Sequence, residues 1–328
     1  MASRRTHCPG RSTHPFPVRV FVAAAVAVAL FIPSGPSGLS GPSGAFAQTA
    51  TLHLNPVIDK LAKGQPVFGL QTGDLSLQNA RATARAAVDF MYVDMEHNPL
   101  NFDALQIFLL GMSDRRTVLQ KGSVQPNVAL FARFPPEADQ AAWVVKQALD
   151  IGLMGVIFNG VETKAQALAA VQSMRYPQMR GSPYFEPAGK RGAGAANATW
   201  AWGVTGEEYE RRADLWPLNP EGDLLAIVMI ESVEGMKNLD AILSVPGVGM
   251  VFIGAAGDLH MSLGVPQTSP EVESARQTIL KGCLAHNVAC GITANTAADV
   301  IKRLDEGWKM IRSTADVIRE ARASLERR

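Results

Sequence analysis

A short apolar run that ends in ionisable residues carries the first chemical information in this sequence. Residues 90–98 read Phe-Met-Tyr-Val-Asp-Met-Glu-His-Asn, so an apolar segment of strand length stops at Asp94 and His97. Such a run is typical of a buried strand that delivers ionisable side chains to a sheet edge. At this spacing the Asp94 carboxylate can hydrogen-bond one imidazole nitrogen and leave the other free to move a proton. The alternative is a polar loop in which Asp94 caps a turn and His97 is solvated.

Three further apolar runs lead to ionisable residues in the same way. Arg133 ends one run, Glu231 ends another, and Asp258 lies in the loop after a third. If the strands are parallel, these positions share one sheet edge, where Glu231 and Asp258 can offer oxygen ligands to Mg²⁺ or Mn²⁺. Arg133 cannot lose its proton, so it can face a developing oxyanion while His97, oriented by Asp94, moves the proton. These groups together predict enolate formation beside a carbonyl.

The same groups also allow a structural interpretation. The two carboxylates can form ion pairs with Lys237 or Arg133, and the histidine can be a structural hydrogen-bonding group. Carboxylates that converge at a barrel mouth favour the functional interpretation. The remaining histidines of the folded part are expected at surface or cap positions: His53, His260 and His286.

The elements that must position these residues alternate along the chain from residue 67 onward. Short apolar runs alternate with amphipathic stretches of helical period, which implies parallel strands joined by helices. Eight such units close a (β/α)₈ TIM barrel, and an open doubly wound sheet is the alternative. The predicted strands cover 67–70, 90–93, 128–131, 153–158, 224–230, 248–253, 288–292 and 308–311. The predicted helices cover 76–87, 102–112, 136–149, 163–174, 233–243, 270–287, 297–306 and 314–327.

Residues 175–221 interrupt this alternation. The segment is rich in Gly, Pro, Ala and Trp, with Arg191-Gly192-Ala193-Gly194 at its centre, and shows no strand or long helix. Irregular segments of this length in a compact domain usually serve as lids or subunit contacts. The glycines do not form a dinucleotide-binding loop, because no strand precedes them and the third glycine of that motif is missing.

The first 47 residues have the layout of a secretory signal peptide. Four arginines precede the apolar run 20–32, which is short for a bilayer span, and Ala45-Phe46-Ala47 offers a cleavage site before Gln48. The spacer is long, so an uncleaved anchor or a later start is the alternative. We expect residues 1–47 to be signal peptide and spacer, and residues 48–328 to be a single barrel domain without membrane attachment. The protein is then exported, periplasmic or secreted.

Composition limits the partners and the redox chemistry. A net charge of +1 over 328 residues gives no reason to expect binding to nucleic acid or to an anionic membrane surface, so we expect a small substrate. Cys8 lies in the segment to be removed, which leaves Cys283 and Cys290. These two can pair in an oxidising compartment if geometry permits, but we expect two buried free thiols. No CxxC or Cys/His cluster suggests zinc.

Five motifs in this chain resemble, in order, those of the HpcH/HpaI aldolase/citrate lyase family. The likeness covers roughly residues 67–295 and is greatest to the 4-hydroxy-2-oxoheptanedioate aldolase branch, the class II pyruvate aldolases. Three departures accompany it: Met229 replaces a usual glutamine, the loop 254–258 is one residue longer and lacks a proline, and 308–313 is more polar than usual. The motifs are residues 92–97, 130–133, 175–177 with 191–194, 228–232, and 252–254 with 257–259.

The resemblance implies a (β/α)₈ barrel that holds a divalent metal, Mg²⁺ or Mn²⁺ with Co²⁺ as a further option. Residues matching Glu231 and Asp258 would be its ligands. Arg133 would contact the carbonyl oxygen of pyruvate, and the pair Asp94 and His97 would be the acid/base system. In this family pyruvate loses a methyl proton and the enolate adds to an aldehyde; the reverse reaction cleaves a 4-hydroxy-2-oxo acid.

The resemblance also implies how the substrate and other subunits bind. Backbone amides of Ala256, Gly257 and Asp258 would receive the pyruvate carboxylate, as amides that converge on an anion do. Trimers or hexamers with an exchanged last helix are common in the family, a part suited to the amphipathic stretch 314–325. Two alternatives stay open: a lyase or thioesterase of hydroxyacyl-CoA esters, as in the citrate lyase branch, and an exported non-catalytic barrel that binds an oxo acid.

Overall fold

The strands of this protein form a closed parallel barrel. The computed structural model describes residues 53–254 and 257–328. Within them each strand pairs with the next in sequence order, and the eighth pairs with the first. The strands are β1 (Val67–Thr72), β2 (Phe90–Asp94), β3 (Ala129–Arg133), β4 (Gly155–Phe158), β5 (Leu225–Met229), β6 (Val248–Ile253), β7 (Ala289–Thr293) and β8 (Met310–Arg312). The (β/α)₈ prediction is confirmed, and the open-sheet alternative is wrong.

Helices follow the strands around the outside of the barrel. Most begin at a side-chain cap, as at Thr163, which forms a capping box with Gln166. Among the described residues no helix is long and apolar enough to cross a membrane. The helices are α1 (Pro56–Leu61), α2 (Leu77–Thr83), α3 (Phe102–Gly111), α4 (Arg115–Lys121), α5 (Ala142–Asp150), α6 (Lys164–Met174), α7 (Ala196–Trp202), α8 (Gly206–Arg212), α9 (Val233–Lys237), α10 (Leu239–Leu243), α11 (Gly257–Leu263), α12 (Pro270–Ala285), α13 (Ala297–Glu306) and α14 (Ala315–Leu325).

Three predicted helices differ clearly from the structure. The helix predicted over 76–87 ends at Thr83, in α2. The helix predicted from residue 136 begins at Ala142, because the chain first makes a turn in which Gln140 donates its backbone N–H to the Glu137 carbonyl. The helix predicted over 233–243 is divided into α9 and α10 at Asn238. There the Asn238 side chain donates to the Glu162 carbonyl, which draws this residue out of helical geometry.

Side chains fill the inside of the barrel. Aromatic rings lie against glycines of neighbouring strands, in the pairs Gly69 with Phe90, Gly155 with Phe131, and Gly291 with Phe252. A Cβ atom at Gly155 would lie 2.8 Å from the Phe131 ring and 2.7 Å from the Leu225 carbonyl oxygen. These glycines therefore make the space that the rings occupy, and substrate chemistry is confined to the ends of the strands.

A buried polar cluster closes the end of the barrel where the strands begin. Asp223 accepts a hydrogen bond from the Asn55 backbone and pairs with Arg212 at 2.8 Å. The His53 ring lies 3.3 Å from the same carboxylate and is only 1% exposed. The expectation that His53 lies at the surface is wrong, because Asp223 gives it a buried partner. This end of the barrel is structural.

The irregular segment 175–221 connects α6 to β5, so it lies near the strand starts and cannot cover the strand ends of its own barrel. Two short helices, α7 and α8, form within it. Arg175 fixes it through an ion pair with Asp214 at 2.6 Å and a hydrogen bond to the Pro187 carbonyl. Arg191, also buried, pairs with Asp150 at 2.8 Å. A role in subunit contact stays a prediction.

The last third of the chain contains a disulfide and the C-terminal helix α14. Cys283 and Cys290 form a disulfide with their Cα atoms 6.0 Å apart, so the expectation of two free thiols is wrong. The pairing is possible because the chain turns back from α12 into β7 between them.

Helix α14 packs on its own barrel: Ile318 is buried, and Arg322 donates to the Ala87 carbonyl at 2.6 Å. Exchange of this helix between subunits stays a prediction, and the proposed signal peptide lies outside the described residues.

Candidate active site

Asp94 and Arg133 meet at the carboxyl ends of neighbouring strands. The two residues are partners in the register of β2 and β3. Arg133 Nη2 lies 2.7 Å from Asp94 Oδ2, and Arg133 Nε lies 3.3 Å from Asp94 Oδ1. Burial pushes the pKa of Asp94 upward, but the hydrogen bond and charge of Arg133 outweigh it, and the pKa lies below its ordinary value. Asp94 is therefore ionised, and it fixes the direction of the guanidinium.

Asp94 does not hydrogen-bond the His97 ring as the sequence led us to expect. Its Oδ1 atom accepts from the backbone N–H groups of Glu96 and His97 at 3.2 and 3.3 Å. Its Oδ2 atom accepts from Gln71 Nε2 at 2.7 Å, and the side-chain oxygen Oε1 of Gln71 accepts from the Tyr92 hydroxyl at 2.6 Å. The Gln71 side chain at the end of β1 and two backbone N–H groups thus occupy the carboxylate, so the imidazole is not oriented by Asp94.

Glu96 is the carboxylate nearest the imidazole. Its Oε2 atom lies 2.8 Å from Arg133 Nη1 and 3.7 Å from His97 Nε2. Its Oε1 atom accepts from Asn159 Nδ2 at 2.6 Å. The His97 side chain is 66% exposed, so the ring is open to solvent at the barrel mouth. Arg133 therefore bridges two carboxylates, one of which borders the exposed histidine.

Glu231 lies beside the same network at the end of β5. Its Oε1 atom accepts from the Gly160 backbone N–H at 2.8 Å. Burial raises the pKa of Glu231, the Gly160 hydrogen bond opposes that rise, and the negative charges of Asp258 and Glu96 add to it. Glu231 and Asp258 are thus close enough to repel each other, which a cation between them would relieve. Lys237 does not neutralise them, because it pairs with Glu234 at 3.5 Å.

The donor set of this site fits a divalent cation. Asp258 is exposed in the first turn of α11, where its carboxylate is accessible from the barrel mouth. Two carboxylates leave coordination positions for substrate and water, as magnesium and manganese sites do. Residues 53–254 and 257–328 contain no group of three or more His, Cys, Asp or Glu side chains placed to hold a metal. Of the predicted carboxylate-binding amides, that of Ala256 lies outside the described residues, and Gly257 begins α11.

Met229 occupies a place beside Arg133 at the end of β5. Its sulfur atom lies 3.8 Å from Arg133 Nη1, and the residue is 1% exposed. The side-chain amide nitrogen of Gln71, on β1, donates to Asp94, the carboxylate partner of Arg133. The Arg133 guanidinium therefore contacts the Met229 thioether and the Asp94 carboxylate, and that carboxylate in turn contacts the Gln71 amide.

Three residues that complete the network were not among the predicted site residues: Gln71, Glu96 and Asn159. Each lies at or just after the end of an apolar run, as the residues that were chosen do. Gln71 is the first large polar residue in the run that forms β1, and Asn159 directly follows β4. Polar side chains at strand ends converge at the barrel mouth, so amides at these positions belong to the candidate site as charged residues do.

Comparison with known proteins agrees with a barrel enzyme whose groups converge at the strand ends. The HpcH/HpaI aldolase/citrate lyase model matches residues 76–321. A hydroxypyruvate/pyruvate aldolase of Paraburkholderia phytofirmans is 29% identical over 279 residues, which cover 83% of this chain and 95% of that protein. A 2-keto-3-deoxy-L-rhamnonate aldolase of Salmonella paratyphi B is 32% identical over 250 residues, which cover 75% and 80%.

The solved structures give the same answer. A family protein from Burkholderia cenocepacia superposes with a TM-score of 0.65 at 27% identity, covering 83% of this chain and 98% of that one. The chain belongs to the HpcH/HpaI aldolase/citrate lyase family. The resemblance read from the five sequence motifs is therefore confirmed.

Proposed function

We propose that this protein is a divalent-metal-dependent carbon–carbon lyase that cleaves or forms 4-hydroxy-2-oxo acids through a pyruvate enolate. The observation that carries the proposal is the convergence of Arg133, held by Asp94 and Glu96, with Glu231 at one barrel mouth. Family membership and two relatives named as aldolases of 2-oxo acids support the same reaction class.

Arg133 supplies a fixed positive charge where the reaction develops a negative one. Its Nη1 and Nη2 atoms are held by Glu96 and Asp94, so the guanidinium plane needs no reorganisation when substrate binds. We infer that this plane faces the carbonyl oxygen of pyruvate, with the metal held by Glu231 and Asp258. When bound, the cation supplies further positive charge to stabilise the enolate.

His97 is our candidate for moving the proton. The pyruvate methyl group loses a proton, the resulting carbanion attacks the aldehyde carbon, and the aldehyde oxygen takes up a proton. His97 is exposed at the mouth and borders Glu96, so it can exchange protons with solvent. Amides at Gly257 and Asp258 would receive the pyruvate carboxylate, at the start of α11.

We also propose that the protein is exported after cleavage near Ala47 and that it forms a trimer or hexamer. The first proposal rests on the basic and apolar order of the first 47 residues. The second is supported by family membership and by Trp200, 78% exposed in the irregular segment.

The proposed function is tested by exchange of solvent deuterium into the methyl group of pyruvate. The mature protein is incubated with pyruvate in D₂O with Mn²⁺ or Mg²⁺, and then with EDTA. We expect exchange that needs metal and is reduced about 100- to 10,000-fold in His97→Ala. His286→Ala is the matched control, because its ring pairs with Asp240 on α10 outside the site. A folded wild-type protein without exchange under any divalent metal would contradict the proposal.

A further inference from the structure

The turn that follows β4 binds two carboxylates of the candidate site. Asn159 and Gly160 are the first two residues after this strand. The Asn159 side chain donates from Nδ2 to Glu96 Oε1 at 2.6 Å. The Gly160 backbone N–H donates to Glu231 Oε1 at 2.8 Å. Two consecutive residues therefore bind the carboxylate that pairs with Arg133 and the neighbouring carboxylate at the end of β5.

The backbone of this turn is fixed in the conformation that these contacts need. Gly160 has a φ of 56°, a left-handed conformation that residues with a side chain rarely adopt. The next residue, Val161, donates its backbone N–H to the Met229 carbonyl on β5 at 3.2 Å. Asn159 is only 7% exposed, so its side chain is packed as well. Both donors of the turn are thus held in place relative to β5.

Glu96 needs a partner on each of its two oxygen atoms to keep one orientation. Its Oε2 atom pairs with Arg133 Nη1 at 2.8 Å, and its Oε1 atom is the one that accepts from Asn159. The last torsion of a glutamate side chain is soft, so a carboxylate fixed at one oxygen alone can rotate. The negative charge of Glu96 also adds to the rise that burial causes in the pKa of Glu231, so these two carboxylates repel each other.

Packing alone does not account for an amide at position 159. The buried Oδ1 atom of Asn159 has no hydrogen-bond partner among residues 53–254 and 257–328. A buried amide oxygen without a partner lowers stability. An aspartate has nearly the same shape as asparagine but presents no N–H group to a carboxylate. The property that Asn159 supplies is therefore its N–H donor.

We propose that the turn of Asn159 and Gly160 positions the two carboxylates at the mouth, and that Asn159 keeps Glu96 on Arg133. Asn159 is then a positioning residue that acts through Glu96. The inference rests on the proposed function, in which the Arg133 guanidinium faces the carbonyl oxygen of pyruvate. Loss of the Asn159 donor should lower kcat more than it changes the KM for pyruvate, because a preorganised charge acts mainly on the transition state.

A double-mutant cycle between residues 159 and 96 tests this role, with deuterium exchange into pyruvate as the readout. Asn159→Asp removes the donor, and we expect kcat to fall about 10- to 100-fold while the KM for pyruvate changes less than about 3-fold. Adding Glu96→Gln restores the contact with its polarity reversed: the new amide donates to the carboxylate at 159, and its oxygen still accepts from Arg133. We expect the double variant to be about as active as Glu96→Gln alone. Losses that multiply in the double variant would overturn the inference.

Two measurements without turnover complete the test. In urea, the double variant should be more stable than the sum of the two single losses predicts, because the contact between residues 159 and 96 is restored. Asn159→Ala should keep the Mn²⁺-dependent rise in Tm, because the Gly160 backbone N–H still binds Glu231. Additive losses in urea would overturn the inference, and so would loss of the Mn²⁺ effect in a folded Asn159→Ala protein, which would place Asn159 at the metal instead.

Asn219 offers a matched control at the other end of the barrel. Its side-chain amide donates to Asp214 at 3.2 Å, and Asp214 pairs with the buried Arg175, so the same three side-chain types are linked there. Asn219→Ala should lower stability and leave kcat for exchange unchanged. A wild-type protein without exchange would contradict the proposed function alone, and the unfolding cycle would still decide whether Asn159 holds Glu96.

Discussion

Arg133 is the side chain on which the candidate site depends most, because it joins two carboxylates that come from the same strand end. Its side chain is 10% exposed and bridges Asp94 at 2.7 Å and Glu96 at 2.8 Å. A lysine retains the charge but presents no planar pair of donors, so it cannot hold both carboxylates in one geometry. Arg133 therefore provides a positive charge of fixed direction at the barrel mouth, whereas a lysine would provide the charge alone.

Replacement of Arg133 should reduce activity and stability to different extents in two variants. Arg133→Lys is expected to lower the rate of pyruvate exchange about 100- to 1,000-fold, because the charge is no longer preorganised. Arg133→Met should in addition lose roughly 3–5 kcal/mol of unfolding free energy, since Asp94 and Glu96 remain without their partner. Exchange rates and urea unfolding measure the two effects. Arg303→Lys, in an ion pair between outer helices, is the control that should lose stability alone.

The sequence predicted which residue types meet at the mouth but not which atoms bind each other. Asp94 and Arg133 end neighbouring parallel strands, so their contact follows from strand alternation. Whether Asp94 binds the His97 ring or other donors depends on differences of about an ångström in the donor–acceptor distances. The Gln71 side chain on β1 and the His97 backbone N–H donate hydrogen bonds to Asp94, and no local sequence pattern encodes that outcome.

At the scale of elements, glycines on strands set how the barrel interior packs. Gly155→Ala should destabilise the protein by about 1–3 kcal/mol, because the new methyl group would overlap the Phe131 ring and the Leu225 carbonyl. Gly206→Ala is the matched control: nothing lies within 4 Å of its Cβ position at the start of α8. There the change should be neutral or stabilising by up to about 1 kcal/mol. Urea unfolding of both variants measures the difference, and equal effects would contradict this packing argument.

An ion-pair network links helices α12 and α13 and should make stability depend on pH. Glu273 binds both terminal nitrogens of Arg303, and this hydrogen-bonded pair lowers the pKa of Glu273 to about 2. Because the folded-state pKa is depressed, the contribution is fully present above the ordinary pKa and is lost as pH falls toward the folded one. Glu273→Gln should therefore lower stability by roughly 1 kcal/mol at pH 7.

The difference between Glu273→Gln and wild type should narrow as pH falls from 4.5 toward 2. Thermal unfolding over pH 3–7 measures it. Glu320→Gln on the exposed face of α14 controls for the loss of one carboxylate. A difference that stays constant down to pH 3 would show that the ion pair does not account for the effect.

Strand positions followed from the sequence more closely than helix positions did. Most strands are short apolar runs that are buried along their whole length, so composition marks them. The helix predicted over 233–243 is divided at Asn238, whose side chain finds a distant partner in the Glu162 carbonyl. The helix α4 was not predicted, and it buries none of its own side chains. A helix without a buried face has no hydrophobic period to detect.

At the scale of the whole molecule, one end of the barrel is structural and the other end carries the candidate active site. The end where the strands begin is closed by His53, Asn55 and Asp223, in an arrangement that satisfies buried polar groups. The end where the strands stop carries Arg133 and Glu231. The sequence predicted this division because eight repeated units place every strand end on one side, whatever residues the outer helices contain.

Metal binding to that open end should stabilise the entire fold, since the ligand residues are brought together only when the barrel is closed. With Mn²⁺ at about 100 times its dissociation constant, the expected gain is roughly 2.7 kcal/mol, seen as a higher Tm. Glu231→Gln and Asp258→Asn should each lose most of this Mn²⁺-dependent shift, whereas Asp316→Asn on the surface of α14 should keep it. Because thermal unfolding is measured without substrate, this result is independent of turnover. An equal shift in all four proteins would place the metal elsewhere and would leave the repulsion between Glu231 and Asp258 without a ligand to relieve it.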